Sequence, residues 1–268
     1  MQYSNLNVRD LPMEDLRDLG LIKDGEVTLP KKDIDALISG MRTGLVKLQD
    51  INHGDIEVKE IHVKLSLAKS AAGKPELLVH PVYKQSHVPA IISSTEGDDL
   101  ITGLKANLIK ETTEDGRHKK MIVEYDWDTK EFIVTDTSRL RVPEMVNGMQ
   151  LTPYQKERYA NGRQIEMPDG TTFQASSTSP EGVRSNRLVL VVSLVMDGGL
   201  TYLLLTGLKA MVGDRGLLSQ TDERNSNYQK ALQDAAQKST HKHAAEPGAA
   251  NANHNEYSRG YGRSGVSR

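Results

Sequence analysis

Residues 38–48 read ISGMRTGLVKL, and the same grammar returns as ITGLKANLIKE at 101–111 and YANGRQIEM at 159–167. Each copy has an apolar end, a glycine, a basic residue and a strand-like run. The residues before each glycine decide the reading. In TLPKKDIDALISG, Ile34, Leu37 and Ile38 stand at i, i+3 and i+4, one face of a helix. Pro30 suits a first helical position, and Gly40 suits the left-handed residue that closes a helix. In SSTEGDDLITG, Ser94 or Thr95 serves as N-cap, Leu100 and Ile101 lie on the buried side, and Gly103 is the stop. In LTPYQKERYANG, Thr152 precedes Gln155 at capping-box spacing with Pro153 between them, and Gly162 ends the helix.

The residues after each glycine read as strand. Beyond Gly40, EIHVKLSL alternates Ile61, Val63, Leu65 and Leu67 with polar residues, which predicts a sheet with one wet face. AKSAAGKP breaks that run and LLVHPVY resumes it. Beyond Gly103, Asp115 and Gly116 signal a turn, and MIVEYDWDTKEFIVTD bends in its middle. Beyond Gly162, Pro168, Asp169 and Gly170 form a strong turn signal before Phe173 and Ala175. A two-turn helix and a hairpin bury too little surface alone, so neighbouring units are expected to share a core. The expected class is α+β: repeated short-helix plus antiparallel β-hairpin units sharing a core, then an apolar segment and a disordered C-terminal tail. The units fall at 1–92, 93–146 and 147–187. An apolar segment (188–213), a further helix (214–238) and the tail (239–268) complete the chain.

With 268 residues the chain buries a real core, but one Trp and two Phe leave that core to aliphatic side chains and nine Tyr. The absence of cysteine removes disulfides, thiolate metal sites and cysteine nucleophiles together. MQYSNLNVRDLPMEDL has no basic segment followed by an apolar one, so the expected location is cytoplasmic. A formal charge of -2 gives no global reason to bind nucleic acid, so any such contact needs a local patch.

The stretches LISGMRTGLVKL, VKLSLAKSAAGKPELLVHPVYK, VNGMQLTPYQKERYANGRQIEMPDGTTFQAS and GVRSNR resemble an uncharacterised repeat-domain family of Bacteroidetes mobile-element proteins. Its repeats read as an L-x-x-x-Q helix, a glycine and basic pair, then a strand. The likeness covers roughly residues 10–210. It implies an accessory role near DNA, because such modules occur beside conjugation genes and are sometimes attached to type IA topoisomerases. No catalytic residues come with it, and a topoisomerase domain is absent from this sequence.

RLVLVVSLVMDGGLTYLLLTGLKAMV holds a single charge, Asp197, between Leu188 and Leu208. Its length permits a membrane span, but an acid and two glycines at the centre weigh against one. Two buried elements of about ten residues turning at Asp197 to Gly199 fit the valine-rich composition, and an oligomer interface is a third reading. The tail carries Arg259, Arg263 and Arg268 with Tyr257 and Tyr261, a pattern able to hold phosphate and stack on unpaired bases.

Signals of chemistry are weak. Ser66 and Lys69 in SLAK have a serine–lysine spacing but end a strand. Glu124, Asp126 and Asp128 in EYDWD share one strand face, which reads better as solvated than as a cation site. His80 and His87 lack further zinc ligands, and His241 and His243 sit in the tail. Neither catalytic residues, a metal nor a cofactor is therefore expected. GVRSNR is the polar stretch that stands out, since Arg184 and Arg187 could grip phosphate, an acidic partner or lipid headgroups. Arg139, Arg141, Arg158 and Arg163 enlarge that patch if the fold brings them alongside. The expected function is a non-catalytic interaction module with a protein partner, contacting nucleic acid through Arg184, Arg187, Arg259 and Arg263. The alternative is a membrane-associated component held by residues 188–208.

Overall fold

The computed structural model describes residues 6–53, 56–114, 116–196 and 199–206, together with helical residues at 230, 231, 233, 234 and 237. The order of elements bears out the α+β reading and its unit grammar. After helix α1 (Met13–Asp18) and a short hairpin of β1 (Ile22–Lys23) and β2 (Glu26–Val27), helix α2 (Lys31–Ile38) leads into a three-stranded meander. Its strands are β3 (Val46–His53), β4 (Ile56–Lys69) and β5 (Pro75–Pro81), with β4 central. Helix α3 (Ser94–Ile101) leads in the same way into β6 (Leu108–Glu114), β7 (Arg117–Asp126) and β8 (Glu131–Asp136), with β7 central. The short strands β9 (Met145–Val146) and β10 (Met149–Gln150) precede helix α4 (Pro153–Ala160). That helix leads into β11 (Ile165–Glu166), β12 (Thr172–Ala175) and β13 (Val183–Ser185).

The punctuation works as its chemistry demands. Gly40, Gly103 and Gly162 have φ of 73°, 77° and 70°, a region that costs an L side chain free energy. At the end of α2, Gly40 N–H donates to Leu37 C=O and Met41 N–H to Ala36 C=O. At the end of α4 the same pair recurs, with Gly162 donating to Tyr159 and Arg163 to Arg158. Both are Schellman closures. The N-cap of α4 is Thr152, boxed with Gln155. That of α3 is Ser93, one residue earlier than expected, because the reciprocal bond to Glu96 requires a three-residue spacing.

The expectation of a shared core needs correction. Each unit closes a separate apolar cluster under its own helix. Leu16 and Leu37 pack on Val63, Leu65 and Leu67 in the first, and Leu100 packs with Val123 and Tyr125 in the second. Tyr159 packs with Ile165, Phe173 and Val183 in the third. Burial of one such leucine contributes about 1.5–3 kcal/mol relative to exposure. Alternate residues of β4 and β7 point away from their helices, toward neighbouring units. The predicted wet face of β4 is therefore wet only in part, at Glu60 and His62. Lys64 and Ser66 on that face are buried, because the second unit covers it.

Within the apolar run, β14 (Val189–Met196) and β15 (Gly199–Thr206) pair as a hairpin, with Met196 opposite Gly199. The two strands pair as read, but only β14 is largely buried, since Leu200, Leu203 and Leu204 of β15 are exposed, and Asp197 and Gly198 lie outside the described residues. The hairpin joins β9 and β10 in a four-stranded sheet ordered β10-β9-β14-β15. Leu190, Val192 and Leu194 complete the core of the third unit, while Val191 on the other face meets Ala231. Among the described residues no helix is long and apolar enough to cross a membrane.

Candidate functional site

Three of the polar residues singled out by sequence, Glu124, Asp126 and Arg184, converge on the joint between the units, and there they are buried. Glu124 and Asp126, read as a solvated strand face, are 1% and 0% exposed. Lys64 of β4 reaches across from the first unit. Its ammonium donates to Asp126 Oδ2 at 2.7 Å and Oδ1 at 2.9 Å, and to the Thr178 carbonyl at 3.2 Å. Asp128 Oδ2 lies 2.8 Å from the same nitrogen. A protein ammonium thus fills the place that a hard cation would take between these carboxylates. Among the described residues no group of three or more His, Cys, Asp or Glu is placed to hold a metal.

Arg184 and Arg187 call for a second correction. Arg184 is 1% exposed and Arg187 is 7% exposed, so neither belongs to an open basic patch. Arg184 donates to Thr178 Oγ1 at 2.6 Å and to the Ala106 carbonyl at 3.2 Å. Its guanidinium lies 3.7 Å from Glu124 and stacks 5.3 Å from the centre of the Trp127 ring. Glu124 also accepts from Ser176 Oγ at 2.8 Å and from Ser177 N–H at 2.6 Å. Burial pushes the Glu124 carboxyl up, against the opposing pull of Arg184 and these donors. Arg187 donates to Thr171 Oγ1 and the Asp169 carbonyl, closing the turn between β11 and β12. Arg259 and Arg263 lie outside the described residues.

A serine, a histidine and an acid also meet beside this joint. Ser66 Oγ is 2.8 Å from His80 Nε2, and His80 Nδ1 is 3.8 Å from Glu131. The residue types are those of a nucleophilic triad, but the geometry is not. Ser66 is buried on a central strand, 3.8 Å is beyond a hydrogen bond, and Glu131 is taken by Arg42 at 2.5 Å. Lys69, three strand positions from Ser66, points to the opposite face.

An accessible concavity lies elsewhere, between the second and third units. It is a cleft of about 290 Å³ lined by Ile109, Glu111, Lys120, Tyr154, Glu157, Arg158, Asn161 and Arg163. The sheet supplies Ile109, Glu111 and Lys120, and α4 with its closing turn supplies the rest. Lys120 donates to the neutral Asn161 Oδ1 at 2.9 Å. Arg158 donates to the Gln164 carbonyl at 3.2 Å and the Tyr154 hydroxyl at 3.4 Å, with its guanidinium 5.7 Å from the ring centre. Neither these two cations nor Arg163 enters an ion pair among the described residues. Tyr154 is 66% exposed. The sequence nominates Arg158 and Arg163, though beside the wrong partners, since Arg139 and Arg141 do not line the cleft. Lys120, Tyr154 and Asn161 carry no local sequence signal and become neighbours only when α4 docks on β7.

Residues 6–90 match a family described as a protein of unknown function (DUF4099). The match spans the first unit, including Lys64, and stops short of α3 and the cleft. No curated protein and no solved structure matches the chain.

Proposed function

We propose that this chain is a non-catalytic interaction module, an accessory of mobile-element DNA processing or transfer, that grips nucleic acid at the cleft between its second and third units. The observation that carries the reading is the trio of Lys120, Arg158 and Arg163, gathered in one concavity beside Glu111 and Glu157 yet in no ion pair among the described residues. Cations held by neutral acceptors keep their charge for a phosphate, whereas cations in ion pairs must first give up a bond. Mobile-element membership rests on the sequence resemblance.

Titration of the intact chain with labelled oligonucleotides at several salt concentrations tests the reading. Three phosphate contacts predict a log–log slope of about -2 to -3, and replacing the trio with glutamine flattens it. A wild-type curve that is already flat removes nucleic acid from the account. Deleting the gene from its element and counting transfer events tests the accessory role.

A second reading keeps membrane contact through residues 188–208. It is supported by the large exposed side chains of Leu188, Val195, Leu203 and Leu204 on the hairpin. It predicts co-sedimentation with vesicles that persists at high salt.

A further inference from the structure

Resting on that reading, we propose that the cleft takes an unpaired nucleotide: its base stacks on Tyr154, and its flanking phosphates lie against Arg163 and Lys120, so the ligand is single-stranded nucleic acid.

Three features point to a single strand. The Tyr154 ring is open to solvent, with the Arg158 guanidinium 3.4 Å from its hydroxyl and 5.7 Å from its centre. Every unpaired base offers a face to stack on such a ring. In a duplex those faces are used by neighbouring base pairs, so the ring would have nothing to grip.

The size of the cleft agrees, since about 290 Å³ is at the small end for ligand sites and fits one nucleotide. The carboxylates in the wall add a constraint. Glu111 and Glu157 stand among the three cations and would repel a regular phosphate backbone laid across the opening. An unpaired base turns its donor groups outward. A carboxylate accepts from the exocyclic amine of cytosine, or from other base N–H groups, once pairing no longer occupies them. The mixed charge of the lining therefore suits a nucleotide with its base exposed better than it suits a bare polyanion.

The test is fluorescence anisotropy of the intact chain with a labelled mixed-sequence DNA strand and with the same strand annealed to its complement. The wild type is expected to bind the single strand at least about tenfold more tightly. Tyr154→Ala should weaken single-strand binding about tenfold and pull the strand-to-duplex ratio toward one, while Tyr154→Phe retains the preference because it keeps the ring. Glu157→Gln should change the preference among cytosine-, adenine- and thymine-rich strands. Equal wild-type affinity for strand and duplex, or a Tyr154→Ala variant with an unchanged ratio, overturns the single-strand inference and leaves the broader reading standing. Binding of neither ligand removes both.

Discussion

Gly162, which closes the helix of the third unit, sits so near Ile122 of β7 that a Cβ added to it would lie 2.4 Å from Ile122 Cδ1. The glycine does two things there. Its φ of 70° ends the helix, and its missing side chain lets the sheet of the preceding, second unit approach. Gly162→Ala is expected to lose roughly 2–5 kcal/mol, combining left-handed strain with overpacking. Gly20 has φ of 69° but nothing within 4 Å of the point an alanine methyl would occupy, so Gly20→Ala should lose only about 1–2 kcal/mol. Urea unfolding of the two variants separates the packing part from the backbone part.

The helix caps give a smaller and cleaner effect. Ser93 Oγ accepts from Glu96 N–H at 3.3 Å, and Thr152 Oγ1 accepts from Gln155 N–H at 3.2 Å. Ser93→Ala and Thr152→Ala should each lose about 1 kcal/mol, read as a shift in the urea midpoint with an unchanged slope.

Acid should weaken the fold partly through His80. Burial, then the Arg42 charge, lowers its pKa from 6.5 to about 4, while Glu131 pulls the other way. The unfolded chain therefore takes up a proton first, so stability is lost as the pH falls from about 6.5 and levels off near 4. His80→Gln, which can still bond Ser66, should remove that part of the slope. The difference between wild type and variant, measured by denaturant unfolding across this range, isolates it from the carboxylates. Glu124 has the opposite sign: its raised pKa means stability falls as the pH rises above 4.5.

The unit grammar is legible in the sequence because caps, closing glycines and period-two runs are local chemistry. Thr152, Pro153 and Gly162 announce α4 without reference to the rest of the chain. The joint is not legible, since Lys64 and Asp126 are 62 residues apart and each resembles a solvent-facing strand residue. Alternation tells which residues share a face but not what covers it. Arg184 and Arg187 mislead for the same reason, an arginine in a polar stretch being exposed far more often than it is stacked on a tryptophan at a buried joint. The cleft is half legible, through Arg158 and Arg163, and its aromatic wall needs the docking of α4 on β7.

The central claim is that the units are keyed together by buried charge instead of a continuous apolar core, and Lys64 with Asp126 tests it most directly. Stability should be measured for Lys64→Met, Asp126→Leu and the double variant. Lys64→Met strands the buried Asp126 carboxylate and should lose about 3–5 kcal/mol, Asp126→Leu leaves Lys64 its contact with Asp128 and should lose less, and the double variant should lose clearly less than their sum. Strictly additive losses, or single variants within about 0.5 kcal/mol of wild type as surface positions behave, would contradict the account.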